Sequence, residues 1–279
     1  MLIVGICGIG FVGNAILTTF MKFISNHIEN NCKISYPIKA IFSYDKYKNL
    51  GQFEDLLQCD IIFLCLPTLF SENLNTFDIS ELDNTLKKLH ECEYTGLIVI
   101  KSTVMIGYTQ SKNQEFAGLK IVYNPEFLTA RTASYDFENQ KHIIVGYDVN
   151  KNIDYLNLMK IYDYYYPSSK ITVCKNYEAE MCKLACNAFY ATKVQFFTEI
   201  WDLCQKTQID FITIKGMMLD NGWINPMHTS IPGPDGKISF GGACFPKDIK
   251  VLLSQMCNFG SHHKVIEAVI AEQQEIRNT

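Results

Sequence analysis

The chain has 279 residues, 48% of them hydrophobic and 19% charged, which suits about two globular domains with a substantial core. A net charge of −4 gives no electrostatic footprint for nucleic acid or an anionic membrane surface, so a phosphate has to be held by local groups. No run approaches a membrane-spanning helix, Met1 to Val12 does not read as a targeting signal, and eleven cysteines without secretory context or a paired zinc pattern imply a reducing, cytoplasmic setting and no metal.

Leu2 to Cys7 is a short apolar run leading into Gly8-Ile9-Gly10-Phe11-Val12-Gly13 and then a helical pattern, Ala15, Ile16, Phe20, Phe23 and Ile24. Strand, tight turn and helix in this order form the dinucleotide fingerprint: Gly8 makes the turn, Gly10 admits the pyrophosphate and Gly13 lets the helix pack closely. The pyrophosphate then rests on the helix N-terminus at Phe11 and Val12. The next strand, Ile38 to Tyr44, ends in Asp45. A carboxylate there accepts from the adenosine ribose 2′-OH and favours NAD over NADP; a plain surface turn is the alternative. The gap from the glycines exceeds the usual ~20 residues, which predicts an extension of the first helix or its loop across Asn26 to Tyr36.

Ile61 to Leu66 is a continuous apolar run of the kind found in a parallel strand covered on both faces, ended by Pro67-Thr68. The short link from Asp45 to Asp60 predicts a trimmed crossover. Leu97 to Ile100 reads as a strand before Lys101-Ser102-Thr103-Val104-Met105-Ile106-Gly107, and Ile121 to Tyr123 as another before Asn124-Pro125-Glu126-Phe127-Leu128. His142 to Tyr147 and Lys170 to Cys174 are further strands around a helix from Ile153 to Tyr166. Residues 1–174 are thus an α/β, doubly wound, Rossmann-type domain.

Residues 175–279 read as helical. Asn176 to Thr207 has few breakers and predicts one long helix, with Lys183 and Asn187 a turn apart on one face. A lysine in so apolar a stretch either meets a polar partner or snorkels to water. Ile212 to Asp220 continues helical, and Gly222 to Lys237 is dense in glycine and proline, hence an ordered turn system. Then comes Phe240-Gly-Gly-Ala-Cys-Phe-Pro-Lys-Asp248. The glycines permit close backbone approach to a ligand, Pro246 suits the first position of a helix, and Lys247 to Cys257 has amphipathic spacing. Cys244 ahead of a helix N-terminus, with Lys247 nearby, is a setting that favours thiolate; a buried cysteine acting as a small hydrophobe is the alternative. Val265 to Ile276 is the last helix.

The segment ending in Cys-Phe-Pro-Lys-Asp resembles the cysteine motif of the UDP-glucose and GDP-mannose 6-dehydrogenases, with Ser239 in place of the usual first glycine. Lys101 to Gly107 resembles that family's Lys-Ser-Thr-Val-Pro-Val-Gly, with Met105 for proline, and Pro67-Thr68 its Val-Pro-Thr-Pro, with Leu69 for the last proline. Asn124 to Leu128 and Glu178-Ala179-Glu180-x-x-Lys183-x-x-x-Asn187 match further motifs. Two departures concern the site: Ala130 stands where a second glutamate is common, and Trp223-Ile224-Asn225 where Arg-Ile-Gly is. The resemblance covers the first two of three family domains.

The resemblance implies a nucleotide-sugar substrate, most simply UDP-glucose, oxidised twice at C6 with NAD. Thr103 lies near the nicotinamide and reactive water, and Pro67, Thr68 and Lys247 contribute to the cofactor site. Glu126 is the proton acceptor working through water, while the backbone of Phe127 and Leu128, with Phe240 and Gly241, faces the sugar. Lys183 and Asn187 stabilise the alkoxide, Cys244 traps the aldehyde, and Asp248 orients Lys183 or the hydrolytic water. The long helix implies a homodimer. The rival readings are a GDP-mannose enzyme, a β-hydroxyacid-type dehydrogenase, which needs no cysteine, and a non-catalytic NAD or nucleotide-sugar binder.

Overall fold

A computed structural model describes residues 1–29, 37–151 and 153–278. Strand β1 (Leu2–Cys7) is followed by helix α1 (Phe11–Glu29) and β2 (Ile38–Tyr44). The extension expected across Asn26 to Tyr36 is helical as far as Glu29, and its remainder lies outside the described residues. The crossover to β3 (Ile61–Leu64) is indeed short, holding only the four-residue α2 (Phe53–Leu56). Next come a hairpin of β4 (Leu69–Ser71) and β5 (Thr76–Asp78), α3 (Ser80–Glu91), β6 (Leu97–Ile100), α4 (Tyr108–Glu115) and β7 (Lys120–Tyr123). A 3-10 turn (Ala130–Thr132), α5 (Ala133–Glu138), β8 (His142–Tyr147), α6 (Leu156–Tyr165) and β9 (Lys170–Lys175) complete the α/β part.

Seven strands form one sheet in the order β2-β1-β3-β6-β7-β8-β9. Its pairs are parallel except β7 with β8, which meet antiparallel at Tyr123 and Gly146. β3 and β6 are buried at every position, as a strand with helices on both faces must be. Alternate residues feed two cores. Val4, Ile6, Phe63 and Val99 join Ile16 and Phe20 of α1, whereas Ile62, Leu64, Ile98 and Ile100 join Leu56 of α2 and Leu82 and Leu86 of α3.

Some expected boundaries move for local reasons. β3 stops at Leu64 because the Leu66 amide donates to the Ser102 hydroxyl (2.9 Å) and leaves the ladder. α6 starts at Leu156, whose amide the Asp154 side chain accepts (2.9 Å). The hairpin went unread because three-residue strands carry no usable period.

The second part consists of α7 (Asn176–Thr207), α8 (Phe211–Asp220), α9 (Phe245–Asn258) and α10 (Lys264–Asn278). α8 is a new helix, not a continuation: Gln208 at φ 59° closes α7, and Asp210 caps α8 through the Ile212 and Thr213 amides. The chain divides into two compact units, Met1–Leu69 with Asp78–Lys183, and Phe70–Phe77 with Leu184–Thr279. The division falls inside α7, and the second unit takes in most of the hairpin beside its helices. The cause lies in the first turns of α7. Ala179 is fully buried against Gly146 of β8, and the buried Glu180 carboxylate accepts the Gly107 (2.6 Å) and Thr109 (2.9 Å) amides at the start of α4. The second unit has its own apolar cluster around Phe197, Cys204, Phe211 and Ile231.

Candidate active site

β2 lies on one side of β1 and β3 on the other, so the strand order reverses at β1 while the strands stay parallel, the switch point where doubly wound folds bind ligands. The glycine turn sits there. Gly8 has φ 89°, and a Cβ on it would stand 2.5 Å from the Cys65 carbonyl oxygen; a Cβ on Gly13 would stand 1.9 Å from that of Gly8. Both positions exclude a side chain. Gly10, by contrast, would place a Cβ in open space, with nothing within 4 Å. That space belongs to a cavity of about 690 Å³ lined by Gly10, Phe11, Asn14, Lys48, Arg131 and Tyr135 among others.

Asp45 braces this turn from beneath. One carboxylate oxygen accepts the Ile9 amide (2.8 Å), the other the Tyr47 and Lys48 amides (3.0 Å each), and the Lys48 ammonium donates to the Ile9 carbonyl (2.6 Å). An open glycine cradle, a helix N-terminus with no acidic residue in its first turn and the Lys48 and Arg131 cations fit a dinucleotide pyrophosphate. Lys48 and Arg131 had not been singled out in the sequence. Arg131 sits beside Ala130, a recognised departure, and Lys48 follows the strand end at the spacing of an ordinary turn. Pro67 is exposed, while Thr68 is buried and its hydroxyl donates to the carbonyl of the equally buried Thr103 (2.8 Å).

A second cluster of the same unit lies at the C-terminal end of β7. Lys183 is 3% and Glu126 10% exposed in their side chains, with nitrogen and carboxylate 3.0 Å apart. The Lys183 ammonium also donates to the Glu126 backbone carbonyl (2.5 Å) and lies 5.1 Å from the centre of the Phe127 ring. The other Glu126 oxygen accepts the Leu128 amide (2.6 Å). Burial alone would push the Glu126 carboxyl upward, but Lys183, the Leu128 N–H and Lys101 outweigh it and hold it below the usual carboxylate range. The result is a desolvated ion pair whose lysine can exchange a proton with a bound hydroxyl.

In the second unit Cys244 is exposed and immediately precedes α9, with Pro246 in its first turn. One turn on, Asp248 is fully buried. Its carboxylate accepts from the Asn187 amide nitrogen (2.5 Å) and from the Lys247 ammonium (2.5 Å). Asp248 thus holds Asn187 and Lys247, and Glu126 holds Lys183. The Lys247 ammonium also lies over the Phe77 ring, 4.6 Å from its centre. The loop before the cysteine is clamped by α10, where Gln273 donates to the Phe240 carbonyl (3.2 Å) and Arg277 to that of Ser239 (2.6 Å). A Cβ on Gly241 would meet the Arg277 guanidinium at 3.0 Å. Ser239 has a positive φ, 61°, and its hydroxyl, bonded to Gln195 (2.6 Å), helps offset that strain. His228 stacks on Tyr190 at 4.7 Å between ring centres, and Trp223 is 91% exposed. Among the described residues no cluster of His, Cys, Asp or Glu could hold a metal, and no helix is long and apolar enough to cross a membrane.

Residues 36–165 match the NAD binding domain of the UDP-glucose/GDP-mannose dehydrogenase family and residues 177–274 its central domain. The chain is 31% identical to the UDP-glucose 6-dehydrogenase of Campylobacter jejuni over 98% of its own length and 72% of that enzyme's. It is 33% identical to the Rickettsia felis UDP-glucose 6-dehydrogenase, of which it spans 54%. A solved UDP-glucose dehydrogenase from Pyrobaculum islandicum superposes with a TM-score of 0.80 at 20% identity, over 99% of this chain and 68% of that one. A Mycobacterium tuberculosis 3-hydroxyisobutyrate dehydrogenase, at 14% identity and a TM-score of 0.71 over 97% of this chain and 92% of that one, shares the fold. By its two matched domains and by its relatives, the chain belongs to the UDP-glucose/GDP-mannose dehydrogenase family and is an NAD-dependent oxidoreductase.

Proposed function

We propose that the chain oxidises the C6 alcohol of a nucleotide sugar, UDP-glucose, to the carboxylate in two steps through a covalent bond to Cys244. The single observation that carries this reading is the exposed Cys244 thiol at the head of α9, one turn from the buried Asp248 that holds Asn187. An oxidation that stopped at the ketone or aldehyde would have no use for it.

NAD, when bound at the glycine cradle, accepts a hydride at each oxidation. Glu126 accepts the hydroxyl proton through a water, while the Lys183 ammonium and the Asn187 amide donate to the developing alkoxide. The Cys244 sulfur adds to the aldehyde carbon to give a thiohemiacetal, which becomes a thioester at the second oxidation. Water, positioned by Glu126 and Thr103, then breaks the C–S bond and supplies the second carboxylate oxygen, and the thiol is regenerated.

The proposal extends to the assembly. Phe189, Phe196 and Leu203 recur every seven residues along α7 and are 63%, 48% and 56% exposed, an apolar stripe suited to a second copy of the helix. The chain acts as a homodimer in the reducing cytoplasm, where thiols stay reduced. A spectrophotometric assay with UDP-glucose, GDP-mannose and UDP-acetamido sugars tests the function. Two NADH per uronate from UDP-glucose is the expected result; one NADH per product, or no turnover of any nucleotide sugar, refutes it.

A further inference from the structure

We propose that Lys101, at the end of β6, is a positioning residue for the Glu126–Lys183 pair: it holds Asn124 and Pro125 so that Glu126 presents both its carbonyl and its carboxylate to Lys183. The inference rests on the reading of that pair given above.

Lys101 is 2% exposed. Its ammonium donates to the Asn124 side-chain oxygen (2.8 Å) and to the Pro125 carbonyl (3.3 Å). The same Asn124 oxygen accepts the Tyr162 hydroxyl from α6 (2.5 Å), and the Asn124 amide nitrogen donates to the Ile144 carbonyl of β8 (2.6 Å). Asn124 is thereby pinned from three elements, β6, α6 and β8, and the next residues in the chain are Pro125 and Glu126. A shift of this turn would carry the Glu126 carbonyl off Lys183, since backbone and carboxylate move together.

Both oxygens that Lys101 meets are neutral, and a buried ammonium with neutral partners is a costly way to fill space. A methionine of the same length would serve packing alone. The groups facing the ammonium are the Cys65 thiol, the Glu126 carboxylate, the Lys183 ammonium and, at 5.9 Å, the Phe137 ring. Burial pushes Lys101 down to about 8, opposed by Cys65 and Glu126 and aided by Lys183. Above that pH the amine is neutral, its support for the ionised Glu126 is lost, and the pair loosens.

The test compares kcat and KM of Lys101→Met and Lys101→Gln with the unsubstituted chain across pH ~6–10, with NAD affinity as the check on folding. A misplacement on the ångström scale costs roughly 10²-fold in rate, so Lys101→Met is expected to lower kcat by that order with little change in KM. Lys101→Gln, which restores a donor without the charge, is expected to recover part of it. The unsubstituted chain should show an alkaline limb near pH 8 that both variants lack. A Lys101→Met variant with native kcat and an unchanged limb overturns the inference. Lys183→Met and Glu126→Gln run alongside separate the two levels: if both retain turnover, the reading of the pair fails, and if they lose it while Lys101→Met does not, only the role of Lys101 fails. Should both Lys101 variants lose NAD affinity, the profile of the unsubstituted chain decides, a limb near 8 supporting the inference and one at the ordinary lysine value overturning it.

Discussion

Replacing Lys183 by methionine isolates the energetics of the buried pair. The ammonium and carboxylate are 3% and 10% exposed and 3.0 Å apart, so the variant leaves a desolvated carboxylate without its cation. Breaking such a pair costs about 3–5 kcal/mol. Here Leu128 still donates an N–H and Lys101 still lends charge, which puts the expected value near the lower end, ~3 kcal/mol. The sign of the pH dependence follows from burial. In the unsubstituted chain Glu126 is held below the usual range, so its contribution is present above the unfolded value of ~4.3 and is lost as pH falls through the lower folded value. In Lys183→Met burial dominates and the folded value lies above the unfolded one. The variant therefore loses stability as pH rises from that unfolded value, until the carboxyl is fully ionised. Thermal unfolding at pH 7 should show the variant lower by roughly 6–12 °C, taking 2–4 °C per kcal/mol for a chain of this order of size, with the gap narrowing at pH 5. Equal gaps at both pH values, or none at pH 7, would refute the argument.

Three further outcomes follow from the geometry. Gly13→Ala forces a Cβ to within 1.9 Å of the Gly8 carbonyl, so NAD affinity by calorimetry should fall at least about tenfold, a loss of ~1.4 kcal/mol; native affinity would mean that the turn is not the cofactor cradle. Cys244→Ser should abolish uronate formation while single-turnover hydride transfer to the aldehyde level persists, and a variant releasing uronate at the native rate removes the thiol from its role. Phe196→Glu places a charge on the α7 stripe and should convert the proposed dimer to monomer in light scattering; a variant that stays dimeric shows that the stripe is not the interface.

Much of the nucleotide fold was legible because it depends on local requirements. Strand, glycine turn and helix at Leu2 to Ile24 follow from steric necessity at Gly8 and Gly13, and the buried β3 and β6 are visible as runs with no polar residue. Cys244 ahead of Pro246 announces a helix start in the same way. The β4–β5 hairpin was not legible, since two three-residue strands lie below the reach of periodicity.

Side-chain partnerships belonged to the tertiary structure. Spacing placed Lys183 and Asn187 on one face of a helix, but could not say that Lys183 would meet Glu126, 57 positions away in sequence, while Asn187 would meet Asp248, 61 away. Nor could it say that Asp45 would spend its carboxylate on three backbone amides, or that Lys101 would be buried against Asn124. Backbone conformation is set by neighbours in the chain and so is written locally; the partner of a buried charge is whatever the fold brings within reach, because desolvation makes leaving it unpaired too costly.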